Sequence, residues 1–307
     1  MKISIQSNGL SDTVGLETSY AMIKDAGFDG VDAGLNRFWK NREVQHKVIP
    51  DILKPGMTDK DFIDFMHPRK EYAKKYGLSH FQGHAVYQSQ LMDNTVDPEY
   101  DDFLLDVLRK SILAAADIEC ENLVIHPFYK KYECAYLPNE QFERNVERYG
   151  ILAKTAKETG VRICLENMFV THNGRRYKGV CNNPMEAAQY VDALNEQAGE
   201  KCFGFCFDVG HSVFAGYDPR EFFAYMGDRI TCTHLHDNNG VEDLHFAPFT
   251  GVVDWDRLVE GMRLTGYKGP LNFETIGAME DMPEELQQVN LQYIADCGRL
   301  LSARVEA

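Results

Sequence analysis

Four apolar, strand-like runs in the second half of the sequence each end in a side chain that can bind a metal ion. The residues are Glu166 in RICLEN, Asp208 in FCFDVGHS, His234 in ITCTHLHDN and Glu274 in LNFETIG. A buried carboxylate is costly unless it is paired or coordinated, and three that converge would repel one another without a cation. Any one of these acids alone could cap a helix or pair with an arginine, but four in register favour one divalent metal site. One imidazole with three carboxylates suits Mn²⁺, which we predict, and also Mg²⁺, Co²⁺ or Zn²⁺.

Five further residues of ligand type lie at the ends of other predicted strands or in the segments that follow the strands: His84, His126, His211, Asp243 and His245. The last two form a D-x-H pair in VEDLHF and are candidates for additional metal ligands. A lone histidine is usually a satisfied structural residue. We place four others in that class: His46, His67, His80 and His172.

Alternating strand and helix patterns explain why these residues should meet. Strands are predicted near residues 2–6, 29–33, 78–84, 122–126, 162–166, 203–208, 230–235 and 270–274. Helices are predicted near residues 13–26, 59–76, 99–117, 139–159, 183–195, 219–227, 254–265 and 284–304. Eight such units are typical of an α/β protein with a (β/α)₈ TIM barrel, which we expect to form one domain over residues 1–307. A doubly wound sheet usually has fewer strands and a glycine-rich first turn, which this sequence lacks.

The connections that leave the predicted strands are much longer than those that enter them. The long connections cover residues 34–58, 86–98, 127–138, 167–182 and 237–253. Barrel active sites are built from the loops that follow the strands. We therefore expect the polar strand-end residues to form the working face.

Composition restricts the setting and the partners. The chain has 307 residues, 44% of them hydrophobic, and a formal net charge of −15. The negative charge disfavours a broad nucleic-acid surface, and small molecules are the expected partners. The sequence has no apolar run of membrane-spanning length and no secretory h-region at its start, so a cytoplasmic location is expected. Eight scattered cysteines without a C-x-x-C pair are interpreted as reduced core residues.

The strand-end quartet, together with DVGH, HLHDNNGVEDLHFAPFTGVVDW and the closing FET, resembles the xylose isomerase-like TIM-barrel superfamily, particularly its sugar isomerases and epimerases. In the related ketose 3-epimerases the matching Glu, Asp, His and Glu bind one divalent metal, and the two glutamates also move the substrate proton. The resemblance therefore implies metal binding by the quartet and catalysis by Glu166 and Glu274. It also implies that His211 contacts substrate oxygens.

Two other branches of the superfamily stay open as alternatives. Endonuclease IV, an abasic-site nuclease with three zinc ions, uses nine ligands that the quartet and the five further residues resemble in order. Against the nuclease, HLHDNNG carries His236 and no following lysine, and ENMFVTHNGRR lacks the small-residue stretch after the glutamate. The metal-dependent C-glycoside deglycosidases share the barrel and the quartet and work with a small partner subunit.

We predict a divalent-metal-dependent carbohydrate isomerase or epimerase that moves a proton next to a carbonyl through an enediolate. A lyase acting on a sugar-derived ketone, of deglycosidase or dehydratase type, and an abasic-site nuclease are the alternatives. Six residues are predicted to bind the substrate: His211, His84, His126, His236, Trp39 and Asp32. The sequence leaves open how many metal ions bind. It also leaves open whether the protein forms a homo-oligomer or a complex with a small subunit.

The loops after the seventh and eighth predicted strands bear on the substrate. They read DNNGVEDLHFAPFTG and TIGAMEDMPEE, with several acids and no Lys or Arg. Such a rim would repel a phosphate dianion, so an unphosphorylated sugar is expected. Arg175, Arg176 and Lys178 in the loop after the fifth strand argue in the opposite direction.

Overall fold

A computed structural model describes residues 1–35, 56–86, 98–128, 138–172, 175–279 and 282–307. Its strands are β1 Ile3–Gln6, β2 Gly30–Gly34, β3 Gln82–His84, β4 Asn122–Val124, β5 Arg162–Glu166, β6 Phe169–His172, β7 Arg175–Lys178, β8 Phe203–Asp208, β9 Ile230–His234 and β10 Leu271–Phe273. Eight of them form one parallel sheet in the order β10-β1-β2-β3-β4-β5-β8-β9, while β6 and β7 form a separate antiparallel hairpin.

The two ends of the eight-stranded sheet meet at Leu235, directly after β9. The Leu235 N–H donates to the Asn272 carbonyl at 2.8 Å, and the Glu274 N–H donates to the Leu235 carbonyl at 3.2 Å. Leu235 also forms a parallel bridge with Phe273. The sheet is therefore a nearly closed barrel, and the predicted TIM-barrel class is confirmed.

Helices follow the strands and cover the outside of the barrel. They are α1 Asn8–Val14, α2 Leu16–Asp25, α3 Asp59–Tyr76, α4 Pro98–Asp117, α5 Pro138–Thr159, α6 Pro184–Ala198, α7 Val209–Ala215, α8 Pro219–Met226, α9 Trp255–Thr265 and α10 Glu284–Glu306. Gly77 and Gly266 end α3 and α9 in the left-handed conformation, with φ of 63° and 65°. Glycine adopts this conformation without a Cβ clash, which is why these positions marked helix ends in the sequence.

Several local features differ from the sequence prediction, among them the helix α7 Val209–Ala215, which was not predicted. The helix predicted at residues 13–26 is divided at Gly15, whose φ of 87° interrupts the helical path, so that α1 and α2 are separate. The predicted strand at 78–84 is shorter, because Ser79 contributes only an isolated bridge to Gly30 before β3 begins. The segment 167–182, predicted as a loop, contains the β6–β7 hairpin.

Apolar side chains fill the space between sheet and helices, and a smaller group lies inside the barrel. That inner group consists of Val124, Cys164, Cys206 and Cys232. Seven cysteines in the described chain are buried, as predicted for core residues. Among the described helices, none is long and apolar enough to cross a membrane.

Candidate metal centre

The four residues of the predicted quartet meet at the C-terminal mouth of the barrel. Glu166, Asp208 and His234 are the last residues of β5, β8 and β9, and Glu274 directly follows β10. The parallel register pairs Asp208 with His234, so their side chains leave the sheet at one level. One ligand-type atom from each residue lies within 4.8 Å of those of the other three. All four side chains are buried, with exposed fractions of 0 to 3%.

The Nδ1 atom of His234 is the focus of the group. It lies 2.9 Å from Glu166 Oε1, 3.3 Å from Glu274 Oε2 and 3.9 Å from Asp208 Oδ2. Burial by itself would lower the pKa of His234, but the charges of Glu274 and Glu166 hold that pKa well above its usual value. Three carboxylates thus create a strongly negative potential at one imidazole nitrogen.

The donor set fits a divalent cation. Glu166 Oε2 and His234 Nε2 are buried and form no hydrogen bond of good geometry, although His126 Nε2 lies 3.0 Å from Glu166 Oε2. Among the described residues, no lysine or arginine forms an ion pair with Glu166 or Asp208, whose charged neighbours are histidines. Buried carboxylates in this position need a cationic partner, and one nitrogen with three carboxylate groups is a set that Mn²⁺, Mg²⁺, Co²⁺ or Zn²⁺ accepts.

His84 and His126 lie against the other side of Glu166. Their Nε2 atoms are 3.0 Å apart, and His126 Nε2 is 3.0 Å from Glu166 Oε2. His84 also stacks on the ring of His234, with centroids 5.7 Å apart. The three residues His84, His126 and Glu166 form a second group whose ligand atoms lie within 4.8 Å of one another. Both histidines therefore contact the quartet, while their predicted contact with substrate stays a prediction.

His211, Asp243 and His245 form a third group next to Asp208. Asp243 Oδ2 lies 3.5 Å from His211 Nε2 and 3.1 Å from His245 Nε2. Although burial opposes a charged imidazole, the acids Asp208 and Asp243 raise the pKa of His211 to about 10. Asp243 and Glu274 likewise raise the pKa of His245 to about 10 against the effect of burial. The two candidates for additional metal ligands, Asp243 and His245, thus lie beside the residue expected to contact substrate.

His236 lies behind Asp208 and is fully buried. Its Nε2 is 3.1 and 3.2 Å from the two carboxylate oxygens of Asp208, and its ring stacks on His245 with centroids 4.1 Å apart. Gly210 makes room for this ring, because a Cβ at that position would lie 2.0 Å from His236 Cε1. His236 was predicted to bind substrate, and its contacts in the structure are with the quartet and the D-x-H pair.

Of the two remaining residues predicted to bind substrate, the structure describes Asp32 and does not describe Trp39. Asp32 is fully buried in β2, and its Oδ2 lies 3.6 Å from His234 Nε2, the ring nitrogen that is not turned to the carboxylates. Trp39 lies outside the described residues.

Two residues of the site were missed by the sequence analysis. Asn167 follows Glu166 and is fully buried, and its backbone carbonyl accepts a hydrogen bond from His211 Nδ1 at 2.8 Å. Gln6 ends β1, and its Nε2 donates to Glu274 Oε1 at 2.7 Å. Position at a strand end, the criterion used for the acids and histidines, also applies to Gln6 and could have identified it.

The β6–β7 hairpin lies beside His211. The Phe169 ring meets the His211 ring edge to face, with centroids 4.8 Å apart. The Arg176 guanidinium lies 4.6 Å from the centroid of the Phe169 ring, and Lys178 Nζ lies 4.1 Å from that of Tyr217. Two of the three basic side chains of this segment are therefore engaged with aromatic rings.

An eight-stranded parallel barrel with ligand-type residues at the C-terminal ends of its strands defines the class of the protein. The chain belongs to the xylose isomerase-like TIM barrel family, whose model matches residues 20–297.

Individual relatives are distant. The uncharacterized protein y4fM of Sinorhizobium fredii (strain NBRC 101917 / NGR234) is 28% identical over 173 residues, which is 56% of this chain and 52% of the relative, so the match spans about half of that protein. A D-tagatose 3-epimerase-like protein has a TM-score of 0.72 at 20% identity, with 100% of this chain and 98% of that chain covered. The IOLI protein with a binding zinc atom has a TM-score of 0.70 at 15% identity, with 99% and 98% covered. These structural likenesses show the shared fold.

Proposed function

We propose that this protein is a divalent-metal-dependent carbohydrate isomerase or epimerase that moves a proton beside a carbonyl group through an enediolate. One observation carries the proposal: two buried glutamates, Glu166 and Glu274, approach His234 Nδ1 at 2.9 and 3.3 Å from strands on different sides of it. Two carboxylates around one cation-binding position are what a reaction needs when a proton leaves one face of a carbon and returns to the other. The epimerase-like and zinc-binding structural neighbours support the proposal.

Glu166, Asp208, His234 and Glu274 would hold the metal ion. When bound there, a divalent cation supplies a Lewis acid for the substrate's carbonyl and adjacent hydroxyl oxygens. The two glutamates act on the carbon-bound proton. β8 and β9 separate β5 from β10 in the barrel, so the carboxylates of Glu166 and Glu274 reach the substrate from different sides. One glutamate, as the carboxylate, abstracts the proton, and the other, as the carboxylic acid, protonates the opposite face.

Neighbouring side chains fix the two glutamates. The Gln6 amide holds one oxygen of Glu274, and His126 lies 3.0 Å from Glu166. His211, whose Nδ1 is engaged by the Asn167 carbonyl, presents Nε2 toward the Asp243 side of the site. Since the pKa of His211 is raised to about 10, its imidazolium is a hydrogen-bond donor for a substrate oxygen.

The charge of the site supports a neutral substrate. Four acidic side chains lie close together in the site: Glu166, Asp208, Asp243 and Glu274. The segment 237–254 has no Lys or Arg. A phosphate dianion would meet these carboxylates without a basic side chain from that loop. We therefore propose an unphosphorylated sugar or a related neutral ketone.

A second candidate is an abasic-site nuclease, because the second and third groups of ligand-type residues would suit a site with several zinc ions. A lyase would share the proton-abstraction step and then expel a neighbouring oxygen substituent. Metal content separates the nuclease from the sugar enzymes, and product analysis separates an isomerase from a lyase.

The test follows exchange of the carbon-bound hydrogen beside the carbonyl. Purified protein with Mn²⁺ is incubated in deuterated water with matched pairs of free and phosphorylated ketoses, and exchange is followed by NMR. The expected result is exchange and isomer formation with free sugars, lost in Glu166→Gln and kept in Glu284→Gln, which alters an exposed acid of α10. Faster exchange with phosphorylated partners would contradict the substrate class. Cleavage of abasic DNA by a three-zinc form, without exchange on any sugar, would contradict the proposed function.

A further inference from the structure

We infer that Asp32 is a positioning residue that holds His234 by its Nε2–H group and thereby turns Nδ1 toward the ligand group. The inference rests on the proposed metal site and adds a residue from β2, which supplies no member of the quartet. It also assigns Asp32 a different task from the contact with a substrate hydroxyl that the sequence suggested.

The two nitrogens of His234 have different surroundings. Nδ1 faces the carboxylates of Glu166, Glu274 and Asp208, while Nε2 has no hydrogen-bond partner and has Asp32 Oδ2 at 3.6 Å. An imidazole that binds a cation through Nδ1 must carry its proton on Nε2. A carboxylate beside that N–H fixes the tautomer and the ring orientation and makes the ligand nitrogen more basic.

Asp32 is itself held on both sides by amide groups. Its Oδ2 accepts from Gln82 Nε2 at 3.0 Å and from Asn272 Nδ2 at 2.9 Å. The Asn272 amide is oriented in turn, because its Oδ1 accepts from Ser4 Oγ at 2.7 Å. Side chains from β1, β2, β3 and β10 thus form a polar layer in the barrel interior that places one carboxylate oxygen against His234.

The burial of this carboxylate needs a reason. Asp32 is fully buried, and in the described chain its one ion-pair contact is with His234. A purely structural interior position would be filled more cheaply by an apolar side chain, since buried charge is costly to desolvate. An imidazole bound to a metal ion through Nδ1 keeps its Nε2–H group, and Asp32 holds that group in the metal-loaded protein.

The test uses Asp32→Asn, which removes the charge and keeps the shape, with Asp25→Asn on the exposed end of α2 as the matched control. Co²⁺ is titrated into metal-free protein, and the dissociation constant and the visible absorption bands are recorded with the thermal unfolding temperature of the metal-free form. For Asp32→Asn we expect binding weaker by roughly 10- to 100-fold and shifted bands, while the metal-free unfolding temperature stays equal or rises. The control should match the wild type in all three.

Two results would overturn the inference. One is wild-type Co²⁺ affinity and spectrum in Asp32→Asn. The other is a fall in affinity that accompanies an equal loss of thermal stability in the metal-free form, which would make Asp32 structural. If the wild type binds Co²⁺ but Asp32→Asn does not differ from it as expected, the role of Asp32 is wrong and the proposed function stands. If the wild type binds no divalent cation, the role of Asp32 and the proposed function are both wrong.

A second variant covers the case in which Asp32→Asn does not fold. Gln82→Met removes one of the two amides that hold Asp32 while keeping the length of the side chain. The expected change is a smaller loss of Co²⁺ affinity in the same direction. Unchanged affinity in a folded Gln82→Met protein would then count against the inference.

Discussion

The side-chain amide of Asn167 forms two hydrogen bonds with the backbone of Asp208. Asn167 Nδ2 donates to the Asp208 carbonyl at 2.8 Å, and the Asp208 N–H donates to Asn167 Oδ1 at 2.8 Å. The Asn167 carbonyl also accepts from His211 Nδ1. A single residue thus joins the ends of β5 and β8 and orients the imidazole next to them.

Asn167→Asp should weaken metal binding as well as the fold. The acid cannot donate to the Asp208 carbonyl, and its charge lies beside three other carboxylates, so we expect a loss of about 1–3 kcal/mol in unfolding free energy. Because Asp208 is then no longer held in position, we expect weaker Co²⁺ binding, although the added charge by itself attracts a cation. Asn195→Asp is the control, because Asn195 makes the same pair of bonds with the Phe203 backbone at the opposite end of β8. It should lose stability without a change in metal affinity. Equal metal affinities in the two variants would contradict the assignment.

The two glutamates should act as one unit. Glu166→Gln and Glu274→Gln are each expected to lower turnover by roughly 10²–10⁴-fold, since either change interrupts one of the two proton transfers. The double variant should be little slower than the slower single variant. Turnover and bound metal are measured on the same samples, so that loss of the ion is separated from loss of the base. Strictly additive losses would show that the two residues work independently.

Gly210→Ala should be strongly destabilising for a local steric reason. The added Cβ would lie 2.0 Å from His236 Cε1, and buried overpacking costs about 1–3 kcal/mol or more. Gly150→Ala in α5 is the control, because its Cβ meets the flexible end of Gln197 and alanine favours a helix. Adding His236→Ala to Gly210→Ala should recover part of the lost unfolding free energy in urea titrations. If the double variant recovers no stability, the instability of Gly210→Ala does not come from a clash with the His236 ring.

His80 should make stability depend on pH. It is hydrogen-bonded to Tyr20 and to the Ile118 carbonyl, and burial lowers its pKa to about 4 from an ordinary 6.5. Between these two values the unfolded chain binds more protons than the native one, so stability falls as the pH falls through this window. His80 alone should account for up to about 3 kcal/mol between pH 7 and pH 4. Unfolding titrations at several pH values should give a shallower dependence for His80→Asn than for the wild type, and equal slopes would refute the prediction.

Much of the barrel could be predicted because its signals are local. Glu166 and Asp208 end apolar runs, and such runs stop where a buried strand reaches the barrel mouth. Gly77 and Gly266 mark the ends of α3 and α9 for the steric reason given above. The hairpin at Phe169–Lys178 was missed although the sequence has an Asn-Gly pair, a typical two-residue hairpin turn, at positions 173 and 174. The flanking runs FVTH and RRYK lack the regular alternation of apolar and polar residues that marks a strand.

The supporting residues could not be predicted because their roles depend on partners distant in the sequence. Asn167 carries no charge and follows the strand end, so its amide has no signal until Asp208 is placed beside it. Gln6 had only its position at the end of β1 as a signal. Asp32 and His236 were identified as candidates for substrate contact, which stays a prediction. Their contacts with His234 and Asp208 became visible only once the barrel brought these strands together.

The rate at which the three interior cysteines are alkylated reports how often the barrel opens. Cys164, Cys206 and Cys232 each precede a quartet residue by two positions, so they lie one pleat below it on the same face of their strands. Burial raises the pKa of all three thiols, which makes them inert toward alkylating reagents while the strands stay paired. Alkylation must therefore wait for β5, β8 and β9 to part. An ion that ties together the ends of these strands would slow that labelling, so the rate of thiol modification measures how often the metal-bearing end of the barrel opens.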